Sequence, residues 1–146
     1  METKVTHNFS VVPHNYPLCL NRQCPKASTC LRQLVEQEVT EQSKFLVIIN
    51  PQYQSAIKGD CPDYRCSTKV QFAKGLMSAM ENITAKQMQK VVHDLINIFS
   101  QRTYYRIRKG ERLLSPAEQV VVREIFKKYG VVERIEFDRY VEDYEW

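Results

Sequence analysis

Five cysteines are the residues of this sequence best suited to chemistry. Cys19, Cys24 and Cys30 follow one another as C-x4-C-x5-C, and Cys61 and Cys66 form a second C-x4-C after a helix-sized gap. Soft divalent metals take thiolates that converge from separate chain segments, and this layout supplies two such segments. A proline follows both Cys24 and Cys61 and stiffens each turn. His14 adds a nitrogen donor nearby. Neither cysteine pair is the C-x2-C knuckle of a zinc finger, and a four-ligand site leaves one thiol of five unused. A single zinc ion is the expectation; an iron–sulfur cluster ranks behind it because none of the usual ferredoxin spacings is present. Spacing does not choose four cysteines from five. The competing reading is that they are buried thiols acting as small apolar side chains.

Nucleophilic chemistry has no such support. A catalytic cysteine wants a positioned base, and neither His14 nor His93 sits where the sequence supplies one. His93 reads as a partly exposed helix residue and His7 as a solvated residue near the terminus. The glycines are scattered at Gly59, Gly75, Gly110 and Gly130, so no phosphate-cradling loop is encoded. HExxH, GxSxG and clustered acid pairs are absent too, and no enzymatic activity is expected.

The second segment with chemical potential runs from Arg102 to Arg112, where arginines interleave with Tyr104 and Tyr105. If 101–109 is helical, Arg102, Tyr105, Arg106 and Lys109 share one stripe and could face phosphates. Tyr104 and Ile107 then anchor the opposite side to the core. The alternative is a solvated cationic face whose arginines pair with the acidic tail. From Arg102 to Lys128 basic residues outnumber acidic ones, and from Glu133 to Trp146 the balance reverses.

The elements that must position these residues are mainly helical. Residues 1–26 carry Pro13, Pro17 and Pro25 and read as an extended arm or loop over the body. Ser28 is the expected cap of a helix through Leu31, Leu34 and Val35. Phe45 to Ile49 reads as a short buried strand, and 50–66 as a loop. Phe72, Ala73, Leu76, Met77 and Met80 follow helical spacing and predict one amphipathic helix. Thr84 and Gln87 form a capping box for a helix with apolar positions from Met88 to Phe99. Gly110 closes the basic helix, and Ser115-Pro116-Ala117-Glu118 opens another. The stretch 131–146 is aromatic, acidic and unassigned.

With 146 residues, 43% hydrophobic and 26% charged residues and a net charge of +4, the chain fits one globular domain. The expectation is a single domain over 1–146, with a cysteine-bearing part at 1–66 and a helical part at 67–130. Within the latter, 85–130 is helix-turn-helix-like, and 131–146 forms an acidic aromatic tail. The fold class is mainly α, a small helical domain with an irregular N-terminal segment and one short strand pair at most. The N-terminus lacks the apolar region of a secretory signal and no apolar run reaches membrane-spanning length, so a cytoplasmic location with reduced thiols is expected.

Several local motifs point the same way: Cys24-Pro25-Lys26-Ala27 with Cys30-Leu31-Arg32, Cys61-Pro62-Asp63-Tyr64-Arg65, Arg102-Thr103-Tyr104-Tyr105-Arg106, Lys109-Gly110-Glu111-Arg112, Ser115-Pro116-Ala117-Glu118-Gln119 and Phe137-Asp138-Arg139-Tyr140. With these the chain resembles an uncharacterised domain-of-unknown-function family of small proteins from Bacteroidetes-type bacteria. That resemblance implies no activity, substrate or cofactor. Within that pattern Cys19, Cys24, Cys30 and Cys61 are the expected cysteines and Cys66 is the extra one, so those four are the expected ligands if a metal is bound. Residues 91–130 also resemble the helix-turn-helix modules of bacterial regulators, in which a basic aromatic helix precedes a Gly-Glu turn and a Ser-Pro-x-Glu helix start. They depart from that pattern in lacking a glycine between Asn97 and Ser100. The expected function is a metal-stabilised nucleic-acid-binding or regulatory accessory protein using Arg102, Tyr105, Arg106 and Lys109. The alternative is an interaction scaffold for an acidic protein partner that binds no nucleic acid.

Overall fold

The computed structural model describes Phe9 and residues 11–146. His7 lies outside the described residues. The chain divides into two compact units, Met1–Thr68 with Tyr144–Trp146, and Lys69–Asp143. Six α-helices and one two-stranded antiparallel sheet are present among the described residues. None of those helices is long and apolar enough to cross a membrane.

The first unit has little regular structure. A 3-10 turn at Ala27–Thr29 leads into helix α1, Leu31–Gln37, whose N-cap is Cys30. The expected cap at Ser28 is therefore displaced by two residues. Long-range bonds account for the shift, because Leu31 N donates to Arg65 O at 2.8 Å and Ser67 N to Thr29 O at 3.0 Å, holding Cys30 between them as extended backbone. Helix α2, Pro51–Ala56, occupies what the sequence suggested was loop. Its signal was present: Asn50 accepts from Gln52 N, and Pro51 stands at the first helical position. Phe45 to Ile49 is not a buried strand. It makes one parallel bridge, Ile48 to Leu18, and Phe45 is 91% exposed. A small core of Tyr16, Leu18 and Val35, with Phe9, Val12, Val39 and Trp146 against it, closes this unit. Residues 11–26 have almost no regular structure, as expected of a loop, but Tyr16, Leu18 and Cys19 within them are buried.

The second unit has the larger core. The helix expected over 72–80 is instead strand β1, Val70–Lys74, followed by the one-turn helix α3, Met77–Glu81. Strand β1 pairs antiparallel with β2, Arg139–Asp143, in the register Phe72 to Val141. A long-range partner outweighed the local helical spacing, and Gly75 at φ 83° makes the break between the two elements. Helix α4, Ala85–Phe99, begins with the Thr84–Gln87 capping box. Helix α5, Gln101–Lys109, ends on Gly110 in the left-handed region, and α6, Pro116–Lys128, begins with a box from Ser115 and Glu118. Leu76, Met80, Val91, Leu95, Tyr104, Ile107, Leu114, Val122 and Phe126 fill the core between these elements.

Candidate functional sites: a cysteine-lined cavity and a basic helix face

Four different pieces of local structure bring cysteines to one cavity in the first unit. Cys19 lies beside Leu18, whose N–H and C=O bond Val47 O and Ile49 N, each at 2.9 Å. Cys30 caps α1. Cys24 and Cys61 each open a turn, with Ala27 N donating to Cys24 O at 3.1 Å and Tyr64 N to Cys61 O at 3.3 Å. Pro25 and Pro62 occupy the second position of these matching turns, where a fixed φ near −65° suits the geometry. Cys19, Cys24, Cys30 and Cys61 all line a single cavity of about 240 Å³. Cys19 and Cys30 are buried, and Cys24 and Cys61 are half-buried.

The cavity wall contains groups that sequence reasoning missed. Gln54 on α2 donates its amide N–H to Cys19 Sγ at 2.8 Å, and Gln33 on α1 donates to the same sulfur at 3.3 Å. Gln33 is almost completely buried, and its Nε2 also donates to Asn21 O. Arg32 is buried as well. It donates to Asp63 O at 2.7 Å and to Pro17 O at 2.8 Å, and its guanidinium stacks 4.7 Å from the centre of the Tyr16 ring. One side chain therefore ties the backbone beside Cys61 to the backbone beside Cys19. The signal available in the sequence was the polar pair Arg32-Gln33 inside an apolar helical pattern. Only the tertiary structure shows what they hold.

Cys66 stands apart from this arrangement. Its backbone bridges Cys30, but its side chain is exposed and does not line the cavity. Thr68 Oγ1 lies 3.4 Å from Cys66 Sγ, and hydrogen bonding to Thr68 holds this thiol below the usual cysteine range. His14 is exposed and also lies outside the cavity lining. Among the described residues, no three His, Cys, Asp or Glu side chains stand close enough to hold one metal ion. The four cysteines share a cavity without meeting at a point.

In the second unit, α5 presents the expected stripe. Arg102, Tyr105, Arg106 and Lys109 are exposed, while Tyr104 and Ile107 are buried against the core. The ion pairs among the described residues are Arg22–Glu36, Lys26–Asp60, Arg112–Glu118 and Lys128–Asp94. None of them involves the stripe. Two carboxylates of the acidic tail are engaged elsewhere in the second unit. Asp138 accepts N–H bonds from Met77 at 3.0 Å and Ser78 at 2.8 Å, and Glu136 accepts from the Tyr140 hydroxyl at 2.9 Å. Helices α4 and α5 are separated by one residue, Ser100 at φ 72°. The turn of a DNA-binding helix-turn-helix takes three to four residues, so this junction is tighter.

The chain belongs to a family of unknown function, DUF6078, whose family model matches residues 1–146. No curated protein and no solved structure matches it.

Proposed function

We propose that this protein carries a soft-metal centre in its first unit, ligated by Cys19, Cys24, Cys30 and Cys61 as thiolates. One observation carries the reading: four of the five cysteines line one cavity, and the fifth is exposed and outside that lining. Buried thiols acting as apolar filler have no reason to gather around a space or to attract amide donors. Two glutamine N–H groups on one sulfur suit a thiolate, a far better acceptor than a thiol, and such outer hydrogen bonds orient metal-bound sulfur. Cadmium titration of the reduced protein tests this, because Cd–thiolate bonds absorb in the ultraviolet. The expected result is saturable uptake that is lost in Cys24→Ser. Absorbance unchanged by cadmium would refute the reading.

A second reading rests on a separate observation, the exposed and ion-pair-free stripe of α5. Arg102, Arg106 and Lys109 neutralise phosphates in this reading, with Tyr105 beside them, and the protein acts as a nucleic-acid-binding accessory. Counterion release then makes binding fall with salt at a log–log slope of about −0.9 per phosphate contacted. Arg106→Ala is expected to weaken binding to duplex DNA and to flatten that slope by about one. A gel shift across a salt series measures both. Absence of a shift at ~50 mM salt, where phosphate contacts are strong, leaves the acidic protein partner as the occupant of this face.

A further inference from the structure

We infer that Cys30 and Cys66 are an oxidative modification site, a dithiol pair that low-molecular-weight disulfides convert to an internal disulfide. The site takes in the one cysteine that the metal reading leaves out, and its bond does not rest on that reading.

The backbone sets the two residues opposite each other in an antiparallel bridge. The bonds that make the bridge run between their neighbours: Leu31 N donates to Arg65 O at 2.8 Å, and Ser67 N to Thr29 O at 3.0 Å. Cys30 and Cys66 are therefore a non-hydrogen-bonded pair, the class in which facing Cα atoms come closest, at ~4.5 Å. A disulfide joins Cα atoms about 4.4–6.8 Å apart, so closing this one takes rotation of two side chains and little of the backbone. Both thiols are free. Among the described residues no isolated bridge joins any two of Cys19, Cys24 and Cys61, so shared lining of a cavity gives them no equivalent register.

The pairing is held at further points. Arg32 Nε donates to Asp63 O at 2.7 Å, and the Tyr64 hydroxyl donates to Thr29 Oγ1 at 3.1 Å. With the two bridge bonds, these contacts tie 29–32 to 63–67. Cys30 itself is extended, at φ −96° and ψ 120°. The folded chain has thus already closed the loop between two residues distant in sequence, a cost that an unfolded chain meets in full.

Exposure divides the roles. Cys66 is exposed, and Cys30 is 6% exposed. An accessible thiol beside a second, resolving thiol is the arrangement of redox-responsive cysteines. The Cys66 thiolate attacks one sulfur of the small disulfide, forming a mixed disulfide and releasing one small thiolate. Cys30 gives up its proton and attacks Cys66 Sγ, which forms the internal bond and expels the second small thiolate. The two cysteines lose two electrons and two protons, and the small disulfide takes them up as two small thiols. Excess small thiol runs the sequence backwards. Where Cys19, Cys24, Cys30 and Cys61 hold a metal, the same bond withdraws Cys30 from it, and that consequence alone rests on the metal reading.

The test is incubation of the reduced full chain with oxidised glutathione in the presence of a metal chelator, then alkylation of the remaining thiols and peptide mapping without reduction. The expected product carries one Cys30–Cys66 cross-link, is lighter by two hydrogens before alkylation, and has Cys19, Cys24 and Cys61 alkylated. Cys30→Ser halts the reaction with glutathione joined to Cys66, and Cys66→Ser leaves Cys30 without a cross-link. Mapping of the wild type decides the matter without either variant. Wild-type protein in which Cys66 keeps its glutathione and no bond to Cys30 forms, or in which Cys30 joins Cys19, Cys24 or Cys61 as often as Cys66, overturns the inference.

Discussion

At the residue scale, the five thiols divide by environment more clearly than by spacing. The cysteine-rich composition was legible, and so were the two Cys-Pro turns, because proline at the second turn position is a local rule. The choice of ligands was not derivable from spacing. It depends on the tertiary placement of Cys66, which is exposed and lies outside the cavity lining. This predicts an order of reactivity. Hydrogen bonding to Thr68 stabilises the Cys66 thiolate, so alkylation of this residue should accelerate at a pH below the ordinary thiol midpoint of ~8.5. Peptide mapping after brief iodoacetamide treatment should find Cys66 modified first. Earlier modification of Cys19 or Cys30, both buried, would contradict the assignment of their environments.

Glycine gives a second test at this scale. Gly75 sits at φ 83°, and a Cβ there would overlap the Asp138 carboxylate, displacing it from the N–H groups it accepts. Gly59 sits at φ 89° with nothing within 4 Å of the same position. A left-handed conformation costs an L-residue about 1–2 kcal/mol. Gly59→Ala should lose about that much stability, and Gly75→Ala should lose about 1 kcal/mol more through the displaced cap. Equal losses in urea titrations would show that the Asp138 contact contributes nothing.

At the element scale, what was legible was what is local. The capping boxes of α4 and α6, the glycine end of α5 and the buried side of α5 were all written in residues within four positions of one another. The misreadings share a cause. Phe72 and Ala73 fit a helical period, yet they pair with residues from β2 nearly 70 positions later, a partner no local window contains. The start of α1 moved for the same reason, since its first turn is shaped by bonds to residues 65–67. Helix α3 depends on a distant cap as well. Burial raises the pKa of the Asp138 carboxyl, but the donors of Ser78 and Met77 outweigh it, so the group sits below the usual carboxylate range. A depressed folded pKa contributes stability that is complete above the unfolded value of ~3.9 and is lost as pH falls through the folded value. Asp138→Ala should therefore cost about 1 kcal/mol near neutral pH, and that difference should shrink below about pH 4. Denaturation curves for both proteins at pH 7 and pH 3 measure it, and a constant difference would remove the cap from the account.

At the scale of the whole molecule, the two units rely on different means of stabilisation. Lys69–Asp143 encloses a continuous apolar core from Leu76 to Phe137. The first unit has three buried hydrophobic residues in its cluster and depends on Arg32, on turns and, in the reading proposed above, on its metal centre. Small modules with structural metal draw on the order of 10 kcal/mol from ligation, so the first unit is where metal loss should be felt. The uneven charge along the sequence was legible, and the structure adds that none of the ion pairs among the described residues involves a cation of α5. The family model matches the full chain and brings no activity to it.

The central claim is that Cys19, Cys24, Cys30 and Cys61 together ligate a metal centre. The most direct measurement is the elemental content of protein purified anaerobically under reducing conditions, made on the wild type, Cys24→Ser and Cys66→Ser. The wild type should hold a fixed stoichiometric content of a soft metal, Cys66→Ser should hold the same content, and Cys24→Ser should lose it. A wild-type protein that folds with none, or equal content in Cys24→Ser and the wild type, would contradict it.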